Sequence, residues 1–218
     1  STATWTQPAN LPLTFEDSSL NLSNLTLILQ GSLQMNRVSI PPQTNEWTLI
    51  IKTSNHVALA GETDHSLQWQ SGTVQFTHQA STTHNFQLTS MKLTGVGMEW
   101  LGGNADIIMD QVVVAGTTHF SVGSNPPVSG NLPSTITLTR MTGSLSEFAT
   151  KPLFDIRQEP VTLLKCDGCH GLSAPQLFSW ASSEHSEIQL LNSEFSTSSS
   201  ILNIWSNTAD TTITISSV

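Results

Sequence analysis

The sequence predicts an all-β chain that winds into a β-solenoid, a stack of similar coils made of short strands. Three observations predict this fold: a recurring strand–corner–strand spacing, a surface rich in Ser, Thr, Asn and Gln, and no convincing helical periodicity. Alternation by two places apolar side chains on one face of a strand. Two short strands that meet at a two-residue corner and face one interior give apolar residues at i, i+2, i+5 and i+7. The clearest copy of this spacing is Phe86, Leu88, Met91 and Leu93.

The same spacing recurs along most of the chain, with copies that start at residues 67, 86, 107, 136, 161, 188 and 213. These starts lie roughly 20–30 residues apart, within the range of repeat architectures. An antiparallel β-sandwich or jelly roll is the alternative, because irregular repeat lengths are ordinary there. The further matching sets are Leu67, Trp69, Gly72 and Val74; Ile107, Met109, Val112 and Val114; Ile136, Leu138 and Met141; Val161, Leu163 and Cys166; Ile188, Leu190 and Phe195; and Ile213, Ile215 and Val218.

The first sixty residues are less regular and predict a separate region. Copies of the spacing that begin at Leu20 and Leu33 start too close together for a full coil, so at least one of them is something else. We therefore expect residues 1–60 to form an N-terminal cap or irregular first coils, and residues 61–218 to form the β-helix coils. The last copy reaches Val218 in mid-strand. Since an unpaired strand edge invites association, we expect a fragment of a longer solenoid or self-association through the C-terminal edge.

Composition narrows the classes of function. Hydrophobic residues make up 37% of the chain and charged residues 11%, against a usual charged share of about 25%. This profile is typical of secreted all-β proteins and predicts an extracellular or cell-surface location. A formal net charge of −9 argues against nucleic acid and anionic membrane as partners. The sequence contains no apolar run near the roughly 20 residues that cross a bilayer.

Two phrases in the later copies carry a family resemblance. Residues 188–195 (Ile-Gln-Leu-Leu-Asn-Ser-Glu-Phe) and residues 161–168 (Val-Thr-Leu-Leu-Lys-Cys-Asp-Gly) are similar to repeated strand–Asn–strand units. Such units resemble those of right-handed parallel β-helix proteins that are secreted or displayed on cell surfaces, including autotransporter passengers and polymorphic outer-membrane proteins. The resemblance implies a right-handed parallel β-helix. It also implies a structural or adhesive role, with glycan or protein partners at a cell surface.

The sharpest chemical motif is Cys166-Asp-Gly-Cys169-His170. Cys-x-x-Cys-His is the attachment sequence of c-type haem, with two thioethers and an axial imidazole, so a monohaem electron carrier is one alternative. Val161–Lys165 has strand rather than helical character, and Cys166 falls at an inward position of the repeat, where Cys behaves as a small hydrophobe. Structural thiols or a local disulfide between Cys166 and Cys169 are therefore favoured. A zinc site that adds His185 is a weaker option, and we expect neither metal nor cofactor.

A polysaccharide lyase or hydrolase on the same fold is the other alternative, although an enzyme is the less favoured reading. The candidates are Asp106 with Asp110, and Asp155 with Arg157. Paired carboxylates in glycoside hydrolysis lie about 5–9.5 Å apart, and strand-end carboxylates meet that distance only by accident of packing. No catalytic residue is therefore assigned.

Two adjacent sequons place candidate N-glycans at Asn21 and Asn24. An Asn-x-Ser/Thr sequence accepts a glycan only in a secreted eukaryotic protein. The main prediction is an extracellular structural or adhesive solenoid that binds glycan or protein through its strand faces.

Overall fold

The strands stack side by side into two sheets that wind around one interior. The structure is a computed structural model and describes residues 2–8, 11–21, 24–40, 47–53, 57–61, 68–77, 84–101, 105–123, 134–157, 161–182, 185–205 and 210–216. Over these residues one sheet has eleven strands and the other nine, and the paired strands run parallel. The predicted parallel β-solenoid is confirmed. The antiparallel sandwich or jelly roll is wrong, because hairpin-connected strands would pair antiparallel.

Twenty strands make up the described part of the chain. In chain order they are β1 (Thr2–Thr6), β2 (Leu13–Ser19), β3 (Asn24–Leu29), β4 (Leu33–Ser39), β5 (Trp47–Thr53), β6 (Val57–Ala60), β7 (Gln68–Thr77), β8 (His84–Thr89), β9 (Lys92–Leu101), β10 (Ala105–Asp110), β11 (Val113–Gly116), β12 (His119–Val122), β13 (Ser134–Thr139), β14 (Thr142–Leu145), β15 (Phe154–Arg157), β16 (Val161–Asp167), β17 (Leu172–Ala181), β18 (Ser186–Leu191), β19 (Phe195–Ile204) and β20 (Thr211–Ser216). The nine-stranded sheet has the order β2-β4-β6-β8-β10-β13-β16-β18-β20.

The eleven-stranded sheet bends, so a coil has three faces. In β9, residues 92–94 pair with β11 and residues 97–100 pair with β12. Gly95 lies at the bend with φ +65°, a left-handed conformation that glycine adopts without steric cost. We call the nine-stranded sheet face 1, the part of the other sheet with residues 92–94 face 2, and the part with residues 96–101 face 3.

The interior of face 1 is a ladder of apolar side chains in register from coil to coil. Each member lies directly opposite the next in the pairing of neighbouring strands, and all but the first and last are buried. In-register burial fixes the strand pairing, because a slip by one residue would turn every apolar side chain outward. The ladder consists of Leu13, Leu33, Val57, Phe86, Ile107, Ile136, Leu164, Ile188 and Ile213.

The corner that leaves face 1 is a stack of residues with positive φ. Ser90, Gln111, Arg140, Gly168 and Asn192 have φ between 46° and 65°. Their N–H groups donate to carbonyl oxygens at the corner of the next coil. A non-glycine residue in this region costs about 1–2 kcal/mol. The hydrogen-bonded stack holds the corner there.

Aromatic rings fill the interior behind face 3. Phe154 stacks between Phe120 and Phe178, with ring centroids 4.8 Å and 5.5 Å apart. A second pair, Phe76 and Trp100, stacks at 5.1 Å in neighbouring coils. Such pairs add to the stability that their burial already gives.

Two of the predicted repeat copies are misplaced. Val161, Leu163 and Cys166 do not flank a corner at Leu164-Lys165, because a β-bulge opposite Ser134 shifts the register. Leu164 and Cys166 point inward instead, and the corner follows at Gly168. The copy that begins at residue 67 turns at Ser71, which has φ +53° and is the bend between faces 2 and 3. Leu67 itself lies outside the described residues.

Residues 1–60 belong to the same sheets as the later strands. β1, β3 and β5 extend the eleven-stranded sheet, and β2, β4 and β6 extend the nine-stranded sheet. The copy at Leu33 is a regular face 1 corner with φ +51° at Arg37, whereas the copy at Leu20 ends on face 3, where Leu25 pairs with Leu49. The proposed boundary near residue 60 stays a prediction.

Candidate functional site

The outer side of face 3 carries a row of polar residues in register. Each stands between two inward residues of its strand and lies opposite the next member in the neighbouring coil. Parallel strands are about 4.8 Å apart, so the row presents one polar side chain per coil at a constant spacing. We call this row the polar strip. It consists of Gln75, Glu99, Ser121, Asp155, Ser179 and Asn203.

Hydrogen bonds hold the members of the polar strip in place. The Gln75 side-chain amide donates to Glu99 at 2.9 Å. The Trp205 indole N–H donates to the Ser179 hydroxyl at 2.9 Å, which leaves Ser179 only 4% exposed. Because these side chains are already ordered, a ligand on the strip would not pay their ordering entropy again.

His119 lies beside the polar strip, against the backbone of the preceding coil. It is in register with Gly97, and a Cβ added to Gly97 would stand 2.7 Å from His119 Cε1. Glycine at this position therefore makes the recess that holds the imidazole. Nε2 of His119 is 2.9 Å from Nζ of Lys151, and Nδ1 is 3.3 Å from the Thr117 carbonyl oxygen. An ammonium can only donate, so Nε2 accepts from Lys151 and Nδ1–H donates to Thr117.

The surroundings keep this imidazole neutral. Burial and the nearby charge of Lys151 lower the pKa of His119 from its usual 6.5, and Arg157 acts in the same direction. The Thr117 carbonyl and the Glu99 carboxylate oppose the shift but do not reverse it. A neutral imidazole that accepts from an ammonium is the stable state at pH 7.

Lys151 reaches His119 from the segment 146–153, which leaves the sheet after β14 and returns at β15. The N–H of Ser146 donates to the Gly116 carbonyl oxygen at 2.7 Å. The N–H of Leu153 donates to the Gln176 carbonyl oxygen at 3.0 Å. The N–H of Phe120 donates to the Leu153 carbonyl oxygen at 2.7 Å. Both ends of the segment are thus fixed to neighbouring coils, and Lys151 is held over the outer side of face 3.

The predicted carboxylate candidates lie on two different faces. Asp155 belongs to the polar strip and pairs with Arg157. Asp106 and Asp110 lie on the outer side of face 1. Asp106 accepts from the Thr135 hydroxyl at 2.7 Å, and Asp110 accepts from Arg140 at 2.6–2.8 Å. Their partners already hold both face 1 carboxylates, which favours a structural role for them.

A disulfide bond joins Cys166 and Cys169 across the face 1 corner. Both cysteines are 0% exposed. Cys166 stacks between Leu138 and Leu190 in the interior ladder next to the corner. The Cys169 carbonyl oxygen accepts a hydrogen bond from the N–H of Glu194. In the preceding coil the Met141 carbonyl oxygen accepts the equivalent bond from the N–H of His170. Cys169, not Cys166, therefore occupies the inward position of Met141.

The geometry of the motif does not fit haem attachment. Thioether formation needs two accessible thiols, whereas here both sulfur atoms are buried and bonded to each other. His170 is exposed, on the solvent side of the corner. His185 is exposed as well, and within the described ranges no three His, Cys, Asp or Glu side chains are grouped to hold a metal ion.

Both candidate glycosylation sites are exposed. Asn21 follows β2, and its sequon partner Ser23 lies outside the described residues. Asn24 opens β3 opposite Thr2 and Thr48. N-glycans at these positions stay a prediction.

Sequence reasoning missed Glu99, His119 and Lys151. These residues lie far apart in the chain, and only the register of the coils brings them together on face 3. A signal was nevertheless present, because Gly97 occupies a strand interior, where glycine often marks a close approach.

Comparison with known proteins adds no family assignment: no family model, curated protein or solved structure matches the chain. Within the described residues, no helix is long and apolar enough to span a bilayer.

Proposed function

We propose that the protein is an extracellular structural or adhesive β-solenoid that binds a glycan along the outer side of face 3. The polar strip carries this proposal, because Gln75, Glu99 and Ser121 offer hydrogen-bonding side chains on three successive coils of a rigid sheet. Asn203 is exposed further along the strip, whereas Asp155 and Ser179 are buried. Weak contacts that repeat along one surface add up to strong binding through effective concentration. A glycan chain, which repeats hydroxyl groups along its length, is suited to such a row.

Two further features support an extracellular location. Disulfide bonds persist mainly in oxidising compartments, and the chain contains one between Cys166 and Cys169. Uncharged polar residues dominate the surface, with only 11% charged residues in the whole chain. Both features are typical of secreted all-β proteins.

A glycan array on the intact chain tests the proposal, followed by titration calorimetry with any glycan that binds. Gln75→Ala removes one member of the strip, and Gln87→Ala is the matched control on the exposed outer side of face 1. We expect Gln75→Ala to weaken binding by about threefold to tenfold, the value of one hydrogen bond. Gln87→Ala should leave binding unchanged. Equal effects of the two substitutions, or no glycan bound at all, would contradict the proposal.

A polysaccharide lyase or hydrolase is the second candidate, and one observation favours it. A neutral His119 lies beside Lys151, with Glu99 close enough to influence its pKa, on the surface that would bind the glycan. Such a group is a candidate for proton transfer. Release of reducing or unsaturated ends from bound glycans, lost in His119→Gln, would support an enzyme; unchanged glycans after long incubation would support adhesion alone.

Self-association remains a separate prediction. Ile213 and Ile215 of β20 continue the inward positions of face 1, yet they are 42% and 62% exposed. Apolar side chains of this kind attract a further strand. Sedimentation velocity on the wild type and on an Ile213→Asn, Ile215→Asn variant tests whether a second copy covers them.

A further inference from the structure

A hydroxyl-rich pocket opens on face 2, where the segment 146–153 leaves the sheet. We call it the serine pocket. Because β14 pairs with β17 only at residues 143–144, the chain beyond Leu145 leaves the next coil uncovered. The pocket is lined by Ser144, Leu145, Glu147, Ser173, Ala174, Pro175, Ser196, Thr197 and Ser198.

The strands build the floor of the serine pocket. Ser144, Ser173 and Ser196 lie opposite one another in three successive coils. Within the described part of the chain, the side chains of Ser173 and Ser196 make no hydrogen bond. Two neighbouring coils therefore present hydroxyl groups that can both donate to and accept from a ligand.

A bulge shapes the wall of the pocket. The register of β17 and β19 shifts between Ala174 and Gln176, so that β19 has an extra residue there. The Thr197 hydroxyl donates to the Pro175 carbonyl oxygen at 2.8 Å and accepts from the Ser199 N–H at 3.2 Å. These bonds fix the bulge. Bulges commonly redirect side chains at functional places.

An exposed aromatic ring lies next to the pocket in the chain. Phe148 follows the pocket residue Glu147 and is 79% exposed. A tight turn holds its backbone, because the N–H of Phe148 donates to the Ser146 hydroxyl and the N–H of Ala149 donates to the Ser146 carbonyl oxygen. A large apolar ring held in water on an ordered turn is a feature of interaction sites.

We infer that the serine pocket binds one pyranose ring of a neutral glycan, with the serine hydroxyls on the sugar hydroxyls and Phe148 against the apolar C–H face of the ring. This assignment rests on the proposed glycan binding and adds a second contact point on another face. Among the described residues that line the pocket there is no Lys or Arg, and Glu147 is the one carboxylate. A glycan that carries carboxylate or sulfate groups would therefore be repelled, whereas neutral hydroxyls can donate to Glu147.

The test is an NMR titration of the intact, isotope-labelled chain with methyl glycosides of glucose, galactose, mannose and N-acetylglucosamine. Glucosamine and glucuronic acid are added as charged probes. We expect a neutral glycoside to shift the amide signals of Ser173, Ser196 and Phe148. Phe148→Ala should weaken binding about tenfold, and Ser173→Ala should weaken it about threefold to tenfold.

Matched controls separate binding from folding. Leu11→Ala removes another exposed apolar side chain, 65% exposed, and Ser39→Ala removes a serine of β4 far along the stack. Neither should change the affinity. Preferred binding of glucosamine or glucuronic acid would overturn the neutral assignment.

The outcomes also separate this inference from the proposed function. If glycans bind the chain but leave the pocket signals and the Phe148→Ala affinity unchanged, the pocket assignment fails and glycan binding by the polar strip stands. If the array and the titration both show no binding, the proposed function fails with it.

Discussion

The aromatic stack behind face 3 predicts that a buried and an exposed phenylalanine differ strongly in their contribution to the free energy of unfolding. Phe154 is 1% exposed and packs between Phe120 and Phe178 in the neighbouring coils. Phe148, six residues earlier in the chain, is 79% exposed. Phe154→Ala and Phe148→Ala therefore remove the same atoms from opposite environments.

The expected magnitudes follow from burial. Replacing a buried Phe with Ala costs about 3–5 kcal/mol, because the lost transfer free energy adds to the cost of the cavity. Two stacked neighbours, each worth about 0.5–1.5 kcal/mol, place Phe154→Ala towards the upper end of that range. Phe154→Leu keeps most of the volume and should cost about 1–2 kcal/mol. Phe148→Ala should change the free energy of unfolding by less than about 0.5 kcal/mol.

Urea unfolding followed by tryptophan fluorescence measures these differences. The midpoint should fall most for Phe154→Ala, less for Phe154→Leu and hardly at all for Phe148→Ala, with a common slope. Stacked coils can unfold in parts, so circular dichroism is recorded at the same concentrations. If Phe154→Ala and Phe148→Ala unfold within about 1 kcal/mol of each other, the proposed packing of face 3 is wrong.

Three further predictions concern the corner, the disulfide and the imidazole. The intact mass should be lower by two hydrogens than that of the chain with free thiols, with no haem attached, and a Soret band would contradict this. Reduction of the Cys166–Cys169 disulfide should lower the free energy of unfolding by about 2 kcal/mol, because the loop that it closes is short. The free energy of unfolding in urea should be about 1 kcal/mol higher for Arg140→Gly than for Arg140→Ala. Both variants lose the exposed ion pair, but only the alanine retains the steric cost of a positive φ. Equal free energies of unfolding would contradict this prediction. His119 should titrate below 6.5 by NMR, and Lys151→Gln should raise its pKa, whereas Lys165→Gln should not. Since the folded pKa lies below the unfolded one, this group's contribution to stability is present above pH 6.5 and is lost as pH falls through the folded value.

The repeating interior could be predicted from the sequence, because side-chain alternation and a corner of fixed length leave a local pattern. Phe86, Leu88, Met91 and Leu93 take the places that the spacing predicts, and all four are buried. The pattern fails where two registers fit equally well. Around Cys166, apolar residues at 161, 163, 164 and 166 allow either register, and a bulge between Val161 and Leu163 in the same strand decides between them.

The polar strip could not be predicted in this way, because it depends on relations between coils. Asp155 and Arg157 are two residues apart and visible in the sequence, whereas Lys151 and His119 meet only once the stacking register is known. A slip of one residue in β12 would turn His119 inward and break this contact.

The solenoid separates the requirements of folding from those of binding. Inward positions must remain largely apolar and in register, and the buried disulfide between Cys166 and Cys169 meets this requirement. Outward positions are free of that requirement, and yet on face 3 they converge on polar side chains that bond to one another across coils. On face 1 the outward side includes the exposed Ile108, and Asp110 forms an ion pair with Arg140 at the corner.

Cross-coil hydrogen bonds do not distinguish the two outer sides, because Thr135 and Asp106 form one on face 1 as well. The recess at Gly97, which holds His119 beside Lys151 next to the polar strip, is the reason to look for the ligand on face 3.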